Sequence, residues 1–333
     1  MFTPSRAAVL RPLDALALCL CVLLAGPVQA QQAPQPYPVR PIRLVLGYAP
    51  GGVADITARL IAQKMSVSMG QPIVIDNKPS AGGLVAADTV AKAEPDGYTL
   101  LHMNYGNAVS QALFRKLPYD ILRDFQPISA MGFFEVAMLV DKNSDIRSAQ
   151  DFLAKARANP DKYTIGTVSI GSGQHMSALL FQSLTGVKAT LVPYKATPAL
   201  MLALKSQEIS VAFEIVSPVL PLVRSGDVRV LAVSSGSRSR TLPDVPTLAE
   251  SGVKGYDVTA WNGMAAPART PPAVVERLNK EINAAMALPE VRAKFLELGI
   301  DARGGSPEDL HKILAAEVDK WNHLVTTMKI DKQ

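Results

Sequence analysis

Short apolar runs alternate along the chain with longer segments whose apolar residues recur at helical spacing. The first run is IRLVLGY, which begins at Ile42 and is typical of a strand. The segment after it is expected to be a helix, because apolar residues fall at helical spacing on one face: Val53, Ile56, Leu60 and Val67. Gly70 is expected to end this helix, because glycine readily adopts the left-handed conformation found at helix C-termini.

The same alternation continues to the end of the chain. Further runs typical of strands are PIVIDN, VAMLVDK, YTIGTVS, ATLVPY, ISVAFEIV and VRVLAVSS, and helical segments lie between most of them. Amphipathic helices follow the double proline, and Ser306, Pro307 and Asp309 mark the start of the last one. Strands alternating with helices predict an α/β fold with mainly parallel sheets flanked by helices.

A glycine-rich turn from strand to helix occurs twice, at GYAPGGVAD (47–55) and at GTVSIGSGQH (166–175). Such a turn directs backbone N–H groups and the positive helix end toward one point, which suits an anion. Two α/β units with one such turn each could face each other across a cleft and close on a solute by hinge motion. A single large doubly wound domain is the alternative that the sequence leaves open.

The N-terminus has the features of a secretory signal peptide. Arg6 and Arg11 precede an apolar run over 15–25 that is too short to span a membrane, and small residues lead to a cleavage site after Ala30. Both cysteines lie in this segment. We therefore expect residues 1–30 to be removed and the mature chain to reside in the periplasm, with no disulfide.

Charge and motif spacing exclude several classes of function. The net charge of +5 is dispersed, without basic runs interleaved with aromatic residues, so nucleic acid is not an expected partner. A mild positive charge favours a small acidic solute. The glycine turns lack the lysine of a nucleotide-binding loop. The four histidines are scattered without metal-ligand spacing. We predict no metal and no cofactor.

A periplasmic serine hydrolase is the alternative function. Ser169 and Ser172 lie close to His175 in the second glycine-rich turn. However, neither serine is in a GxSxG nucleophile elbow, and no third residue that would orient the histidine is evident. A binding protein that is not an enzyme is therefore the preferred hypothesis.

Several long stretches, in order, resemble one family. They are RPIRLVLGYAPGGVADITARLIAQKM, GQPIVIDNKPSAGG, DGYTLL, KLPYDILRDFQPIS, VPYKATPAL, GDVRVLAVSSGSRSRTLPDVPTLAESG and WNGMAAPARTP. Together they are similar to the Bug-type periplasmic solute-binding proteins of tripartite tricarboxylate transporters. The resemblance implies a two-lobed, type II Venus flytrap fold, a ligand with a carboxylate, and delivery to a two-component membrane permease.

The resemblance also implies domain bounds and site residues. Lobe 1 would comprise 35–138 plus 256–333, and lobe 2 would comprise 139–255. Backbone amides of one loop from each lobe would hold the carboxylate. The expected ligand-binding residues are Tyr48, Gly51, Gly52, Val53, Ala54, Asp55, Asn107, Thr167, Ser169, Ile170, Gly171, Ser172, His175, Tyr194 and Glu214. The receptor is expected to be a monomer.

Three positions depart from the family pattern. The chain has GSGQH (171–175) where GSPGH is usual, Ala196 where a glycine is usual, and Glu214 where an aspartate is common. If Glu214 points inward, it would repel a second carboxylate and attract an amine or a hydroxyl donor. The ligand therefore stays open among dicarboxylates, aromatic acids, amino acids and nicotinate-like molecules.

Overall fold

The computed structural model describes residues 37–332. The predicted signal peptide, residues 1–30, lies outside this range. In the described range, no helix combines the length and apolar character needed to cross a membrane.

Three strand–helix pairs form the first part of the described chain. They are β1 (Ile42–Leu46) and α1 (Val53–Met69), β2 (Ile73–Asn77) and α2 (Leu84–Ala91), and β3 (Thr99–Asn104) and α3 (Tyr105–Leu113). A short 3-10 turn, Ala81–Gly83, precedes α2. β1 pairs in parallel with both β2 and β3, as expected for strands that helices connect.

A long strand, β4 (Phe125–Asp141), leads into a second set of strands and helices. They are α4 (Ala149–Ala158), β5 (Thr164–Val168), α5 (Gly173–Thr185), β6 (Thr190–Tyr194), α6 (Thr197–Lys205), β7 (Val211–Ile215), α7 (Val216–Arg224) and β8 (Val228–Val233). The chain ends with β9 (Thr259–Pro267), α8 (Pro272–Ala287), α9 (Pro289–Glu297), β10 (Asp301–Ala302) and α10 (Pro307–Thr327).

The sheet changes character along β4. The strand order is β2-β1-β3-β9-β4-β7-β5-β6, and β8 and β10 also pair with β4. β4 pairs with β9 up to Glu135, and from Val136 onward it pairs with β7 and β8. One strand therefore belongs to two ladders, one on each side of this point.

The predicted α/β class is confirmed, but the sheet is mixed rather than mainly parallel. Every antiparallel pairing involves β4 or β9. β9 follows β8 through the turn-rich segment 234–258, which contains no helix. Without a crossover helix the chain does not return to a parallel position, so the expectation of parallel strands fails at β9 and its partner β4.

The predicted helix α1 is present and ends before Gly70, but the four apolar residues that indicated it do not form its buried face. Val67 is 81% exposed and Ile56 is 37% exposed, while Val53 and Leu60 are half-buried. The buried face contains Ala58, Ile61, Ala62, Met65 and Met69, which also follow helical spacing. Both sets of apolar residues fit a 3.6-residue period, and the face with small alanines and flexible methionines is the one that packs closely.

Candidate functional site

Six strand-to-helix junctions surround one cavity of about 560 Å³. The junctions are β1–α1, β2–α2, β3–α3, β5–α5, β6–α6 and β7–α7, and each contributes residues to the cavity lining. These strands therefore direct their carboxyl ends, and the helices their N-termini, toward the same space. The positive ends of six helices favour an anion there.

Asp55 fixes the first glycine-rich loop. Its carboxylate accepts hydrogen bonds from the Gly51 N–H at 3.0 Å, from Arg59 Nε at 2.8 Å and from Asn77 Nδ2 at 2.9 Å. These hydrogen bonds, that from Arg59 first, lower the pKa of Asp55 to about 2. Asp55 is 2% exposed and does not line the cavity, so it positions the loop.

The start of α1 supplies main-chain donors to the cavity. Gly52 is the N-cap residue, and no side chain caps the helix. The first helical hydrogen bond runs from the Ile56 N–H to the Gly52 carbonyl oxygen at 2.9 Å. Within residues 37–332, no acceptor pairs with the N–H groups of Gly52, Val53 and Ala54, and all three residues line the cavity. A ligand carboxylate could accept from these groups.

The second glycine-rich loop is built differently. Ser172 caps α5, because its Oγ accepts from the His175 N–H at 3.1 Å. Ser169 adopts a positive φ of 28°, and its N–H donates to the Tyr194 carbonyl oxygen at 2.8 Å. Such backbone strain in a non-glycine residue is common at binding sites. Ser169, Ile170, Gly171 and Ser172 all line the cavity.

The hydrolase alternative needs a hydrogen bond between a serine hydroxyl and the ring of His175, and the described residues do not contain one. The Ser172 hydroxyl donates to the Val168 carbonyl oxygen, and the His175 ring pairs with Thr167 Oγ1 through Nδ1 at 3.1 Å. Burial lowers the pKa of His175. Ser172 and His175 therefore act as a helix cap and a loop support, and the described contacts of His175 do not include a serine hydroxyl as its ring partner.

Asn107 supports the third junction without lining the cavity. Its Oδ1 accepts from the Asn104 N–H at 2.9 Å, and its Nδ2 donates to the Gly82 carbonyl oxygen at 3.1 Å. Asn104 Oδ1 accepts from the Gly106 N–H at 2.8 Å and caps α3. These bonds hold the Ala81–Gly83 turn against the start of α3.

Glu214 accepts hydrogen bonds from two other junctions, at Gln174 and at Thr197. Its Oε1 accepts from Gln174 Nε2 at 2.7 Å and from the Ile215 N–H at 2.8 Å. Its Oε2 accepts from Thr197 Oγ1 at 2.8 Å, directly after Ala196. Glu214 is fully buried, and burial raises its pKa. The side chains of Gln174, Thr197 and Glu214 therefore form one hydrogen-bonded unit in the cavity wall.

Three further polar residues of the lining were missed by the sequence analysis. His102 is 1% exposed, and neither ring nitrogen has a hydrogen-bond partner within residues 37–332. Asn262 Oδ1 and Ser217 Oγ also lack partners among the described residues. Burial lowers the pKa of His102 to about 4, so its ring is neutral at pH 7. The only sequence signal was that His102 and Asn262 lie within apolar segments.

The predicted site residues divide into two groups. Those that line the cavity are Tyr48, Gly52, Val53, Ala54, Ser169, Ile170, Gly171, Ser172 and Glu214. Those that lie outside this lining are Gly51, Asp55, Asn107, Thr167, His175 and Tyr194. Tyr194 donates its hydroxyl to Glu208 at 3.1 Å, so its side chain is engaged elsewhere, although its carbonyl holds the second loop. Direct ligand contact stays a prediction for both groups.

Comparison with known proteins identifies the family. The model of the tripartite tricarboxylate transporter family receptor matches residues 57–330. The chain belongs to this family. A UPF0065 protein from the tcbD-tcbE intergenic region of Pseudomonas sp. (strain P51) is 35% identical over 296 residues, or 89% of this chain and 88% of the relative. The protein BugT of Bordetella pertussis is 32% identical over 91% of this chain and 92% of its own length.

Solved structures share the fold of the receptor. The periplasmic binding protein BugD has a TM-score of 0.75 and 31% identity over 89% of this chain and 100% of its own. A protein of R. palustris solved with adipate has a TM-score of 0.76 and 34% identity, with 87% of this chain and 98% of that chain covered. MatC from Rhodopseudomonas palustris, with bound malate, has a TM-score of 0.73 and 32% identity, with 87% and 100% covered.

These comparisons confirm the predicted family and the periplasmic binding protein fold. The family consists of solute-binding receptors rather than enzymes. The hydrolase alternative is therefore set aside, in agreement with the pairing of His175 with Thr167. In the described residues, no group of three or more metal-ligating side chains could hold a metal ion.

Proposed function

We propose that this receptor captures a small organic carboxylate in the cavity and holds the carboxylate by backbone amides of the two glycine-rich loops. One observation carries the proposal. Unpaired N–H groups at the start of α1 border a cavity whose described lining contains no lysine or arginine. A carboxylate in this cavity therefore depends on main-chain donors and helix dipoles, which suit a single small anion.

The bound ligands of two relatives support the carboxylate class. One R. palustris structure contains adipate, and MatC contains malate. The amide-based site proposed here needs only a carboxylate, whatever the rest of the molecule is. Which residues contact that carboxylate directly, and which act through water, is part of the proposal.

A thermal-shift screen of organic acids, followed by isothermal titration calorimetry, tests the proposal. A carboxylate at about 100 times its dissociation constant should stabilise the receptor by about 2.7 kcal/mol. The matched control for each hit is its primary amide or methyl ester, which keeps the shape and removes the charge. Equal shifts for acid and amide would contradict the amide-based site.

The two predicted lobes extend this proposal to a mechanism. Lobe 1 would comprise 35–138 plus 256–333, and lobe 2 would comprise 139–255, with β4 and the segment before β9 as connections. The exchange of partners along β4 supports this division, because the strand pairs with β9 before Val136 and with β7 and β8 after it. Closure about these connections would exclude water from the bound carboxylate.

Delivery to a two-component membrane permease is the second step that we propose. It rests on membership of a family that serves tripartite transporters. The receptor would act as a monomer in the periplasm after loss of residues 1–30. Uptake of the radiolabelled carboxylate by cells with and without the receptor gene tests delivery. Unchanged uptake in the deletion strain would point instead to a sensory role.

A further inference from the structure

Glu214 is a buried acid without a positively charged partner. It is the last residue but one of β7 and is fully buried. Its three hydrogen bonds come from neutral donors: Gln174, Thr197 and the Ile215 N–H. No ion pair of the described residues includes Glu214. When Glu214 is ionised, its carboxylate is therefore solvated only by neutral hydrogen-bond donors.

The hydrogen-bond count leaves room for one more donor. A carboxylate offers about four acceptor positions, two on each oxygen. Oε1 uses both of its positions, for Gln174 and for Ile215, while Oε2 uses one, for Thr197. The remaining position on Oε2 belongs to a residue in the cavity lining. A donor on the ligand could complete the shell.

The charge of the cavity lining favours a positive donor over a neutral one. Among the described lining residues, Glu214 is the one acidic side chain, and no lysine or arginine lies in the lining beside it. A dicarboxylate would bring a second ligand carboxylate into a space that already holds an acidic side chain. A ligand cation would neutralise Glu214 in a poorly solvated site, where charge pairing is strongest.

Two aromatic rings of the cavity lining fit the same ligand. Tyr105 and Phe134 line the cavity, with ring centroids 6.2 Å apart and planes at 84°. Glu214 belongs to the same cavity lining as these two rings. The faces of such rings attract ammonium groups.

We propose that the ligand is a zwitterion whose carboxylate binds the helix N-termini and whose ammonium nitrogen donates to Oε2 of Glu214. The inference rests on the proposed function, because it adds the second end of a ligand whose carboxylate the loops hold. It gives Gln174, Thr197 and Glu214 the role of selecting an amino acid over a dicarboxylate.

Calorimetry with three matched series tests the inference. The probes are amino acids, hydroxy acids and dicarboxylates with equal numbers of methylene groups, over a range of lengths that includes 4-aminobutanoate, 4-hydroxybutanoate and glutarate. α-Amino acids form a fourth arm. An amino acid should bind at least about tenfold more tightly than its hydroxy and dicarboxylate counterparts. Equal or tighter binding of either counterpart overturns the inference.

Glu214→Gln should weaken binding of the amino acid at least about tenfold and improve binding of the matched dicarboxylate. If the ratio of the affinities for the amino acid and the matched dicarboxylate is unchanged in this variant, the inference is overturned. Circular dichroism and thermal melts check that the variant folds.

A second measurement follows the ratio of the affinities for the amino acid and the matched dicarboxylate in the unchanged protein as the pH is lowered. Because burial raises the pKa of Glu214, protonation should reduce the preference for the amino acid, while His102 stays neutral down to about pH 4.

Gly52→Pro separates this inference from the proposed function. It removes a main-chain donor to the carboxylate and should weaken all series to a similar extent. If Gly52→Pro leaves all affinities unchanged while Glu214→Gln still alters the ratio of amino acid to dicarboxylate affinity, the result contradicts the proposed binding of the carboxylate by backbone amides. It supports the proposed binding of the ammonium group by Glu214. If no acid of any series binds, both are overturned.

Discussion

The ring of Tyr105 lies directly against the backbone of Gly173. A β-carbon at Gly173 would lie 1.7 Å from the Tyr105 hydroxyl oxygen and 2.0 Å from the nearest ring carbon. Tyr105 is the first residue of α3, and Gly173 is the first residue of α5. The two helix starts therefore approach each other at a point where only glycine fits.

We predict that Gly173→Ala weakens ligand binding. The added methyl group must displace Tyr105, and such overpacking costs about 1 to 3 kcal/mol. If the two helix starts approach on closure, this cost falls on the closed form, and affinity should drop by about tenfold. Calorimetry with the best ligand of the acid screen measures the loss.

A double substitution is the control for this contact. Gly173→Ala with Tyr105→Ala removes the clash, so the second substitution should cost less affinity in the Gly173→Ala background than in the unchanged receptor. Additive losses would show that the methyl group acts by another route.

Gly52 offers a matched pair of substitutions for the amide donors. Its φ of −76° suits proline, and a β-carbon there would have its nearest neighbour, the Ala49 carbonyl oxygen, at 3.8 Å. Gly52→Ala keeps the N–H, whereas Gly52→Pro removes it. A hydrogen bond to a charged group contributes about 1.5 to 3 kcal/mol, so Gly52→Pro should weaken carboxylate binding by at least about tenfold.

Gly52→Ala should retain most of the affinity, and both variants should melt close to the unchanged receptor. Calorimetry compares the two affinities directly. Equal affinity in the proline and alanine variants would mean that the Gly52 N–H does not bind the ligand.

Asp55→Asn should destabilise the first loop. The carboxylate has three hydrogen bonds, and the loss of its charge leaves Arg59 and the Gly51 N–H poorly paired. We expect a loss of about 1 to 3 kcal/mol of unfolding free energy, measured by urea denaturation at pH 7. Because the pKa of Asp55 is lowered to about 2, its contribution is present above about pH 4 and is lost as the pH falls through 2.

Asp76→Asn is the matched control for Asp55→Asn. Asp76 pairs with Arg43 on the outer strands, and its side chain is 30% exposed. An exposed pair contributes about 0 to 1 kcal/mol, so this variant should lose less stability and no affinity. A larger loss for Asp76→Asn would contradict the role given to Asp55.

His102 makes stability depend on pH in the acid range. Its pKa is lowered from 6.5 to about 4 by burial, so the unfolded chain binds a proton more tightly than the folded one. Stability should therefore fall as the pH drops from about 6.5 to 4, by on the order of 3 kcal/mol from this residue. Urea denaturation at several pH values measures the slope.

His102→Met, which removes the titrating ring, should flatten this slope. Glu214 acts in the opposite direction, because burial raises its pKa from 4.5 and its ionisation costs stability as the pH rises. Glu214→Gln should therefore leave a steeper rise of stability with pH. An unchanged slope in His102→Met would mean that the ring is solvated in the folded protein.

The repeated strand and helix pattern was enough to predict the α/β class and most elements. Strong local signals also gave helix ends: α1 ends at Gly70 in the left-handed conformation, and Ser306 with Asp309 forms a capping box at the start of α10. These features depend on neighbouring residues alone, which a single sequence contains.

Features that depend on distant parts of the chain were missed. The helix α3, the first part of β4 and the strand β9 were not identified, because their apolar residues are interrupted by asparagine, glycine and proline. Those interruptions belong to the site: Asn104 caps α3, and Asn262 lines the cavity. Because β9 and the first part of β4 form antiparallel pairs, the mixed pairing of the sheet could not be predicted.

The candidate site was predicted as two glycine-rich loops. The structure adds polar side chains from other junctions to the cavity lining. The glycine pattern identified the turns at Gly52 and Gly171, since main-chain donors need little side-chain information. Gln174 and Thr197 were not chosen as partners of Glu214, because their pairing across three junctions requires the folded chain. His102 was missed for the same reason.

The placement of β4 in two ladders bears on how the protein could be divided. A cut on either side of Glu135 splits the first ladder, because β3 and the first part of β4 would be separated from β9, which pairs with both. The second ladder, from Val136 to Val233, would stay within the C-terminal fragment. Fragments made by such a cut would expose unpaired edges and should be recovered only when co-expressed. An exchange of the second ladder between receptors of this kind would therefore need two junctions, one in β4 near Val136 and one in the segment before β9.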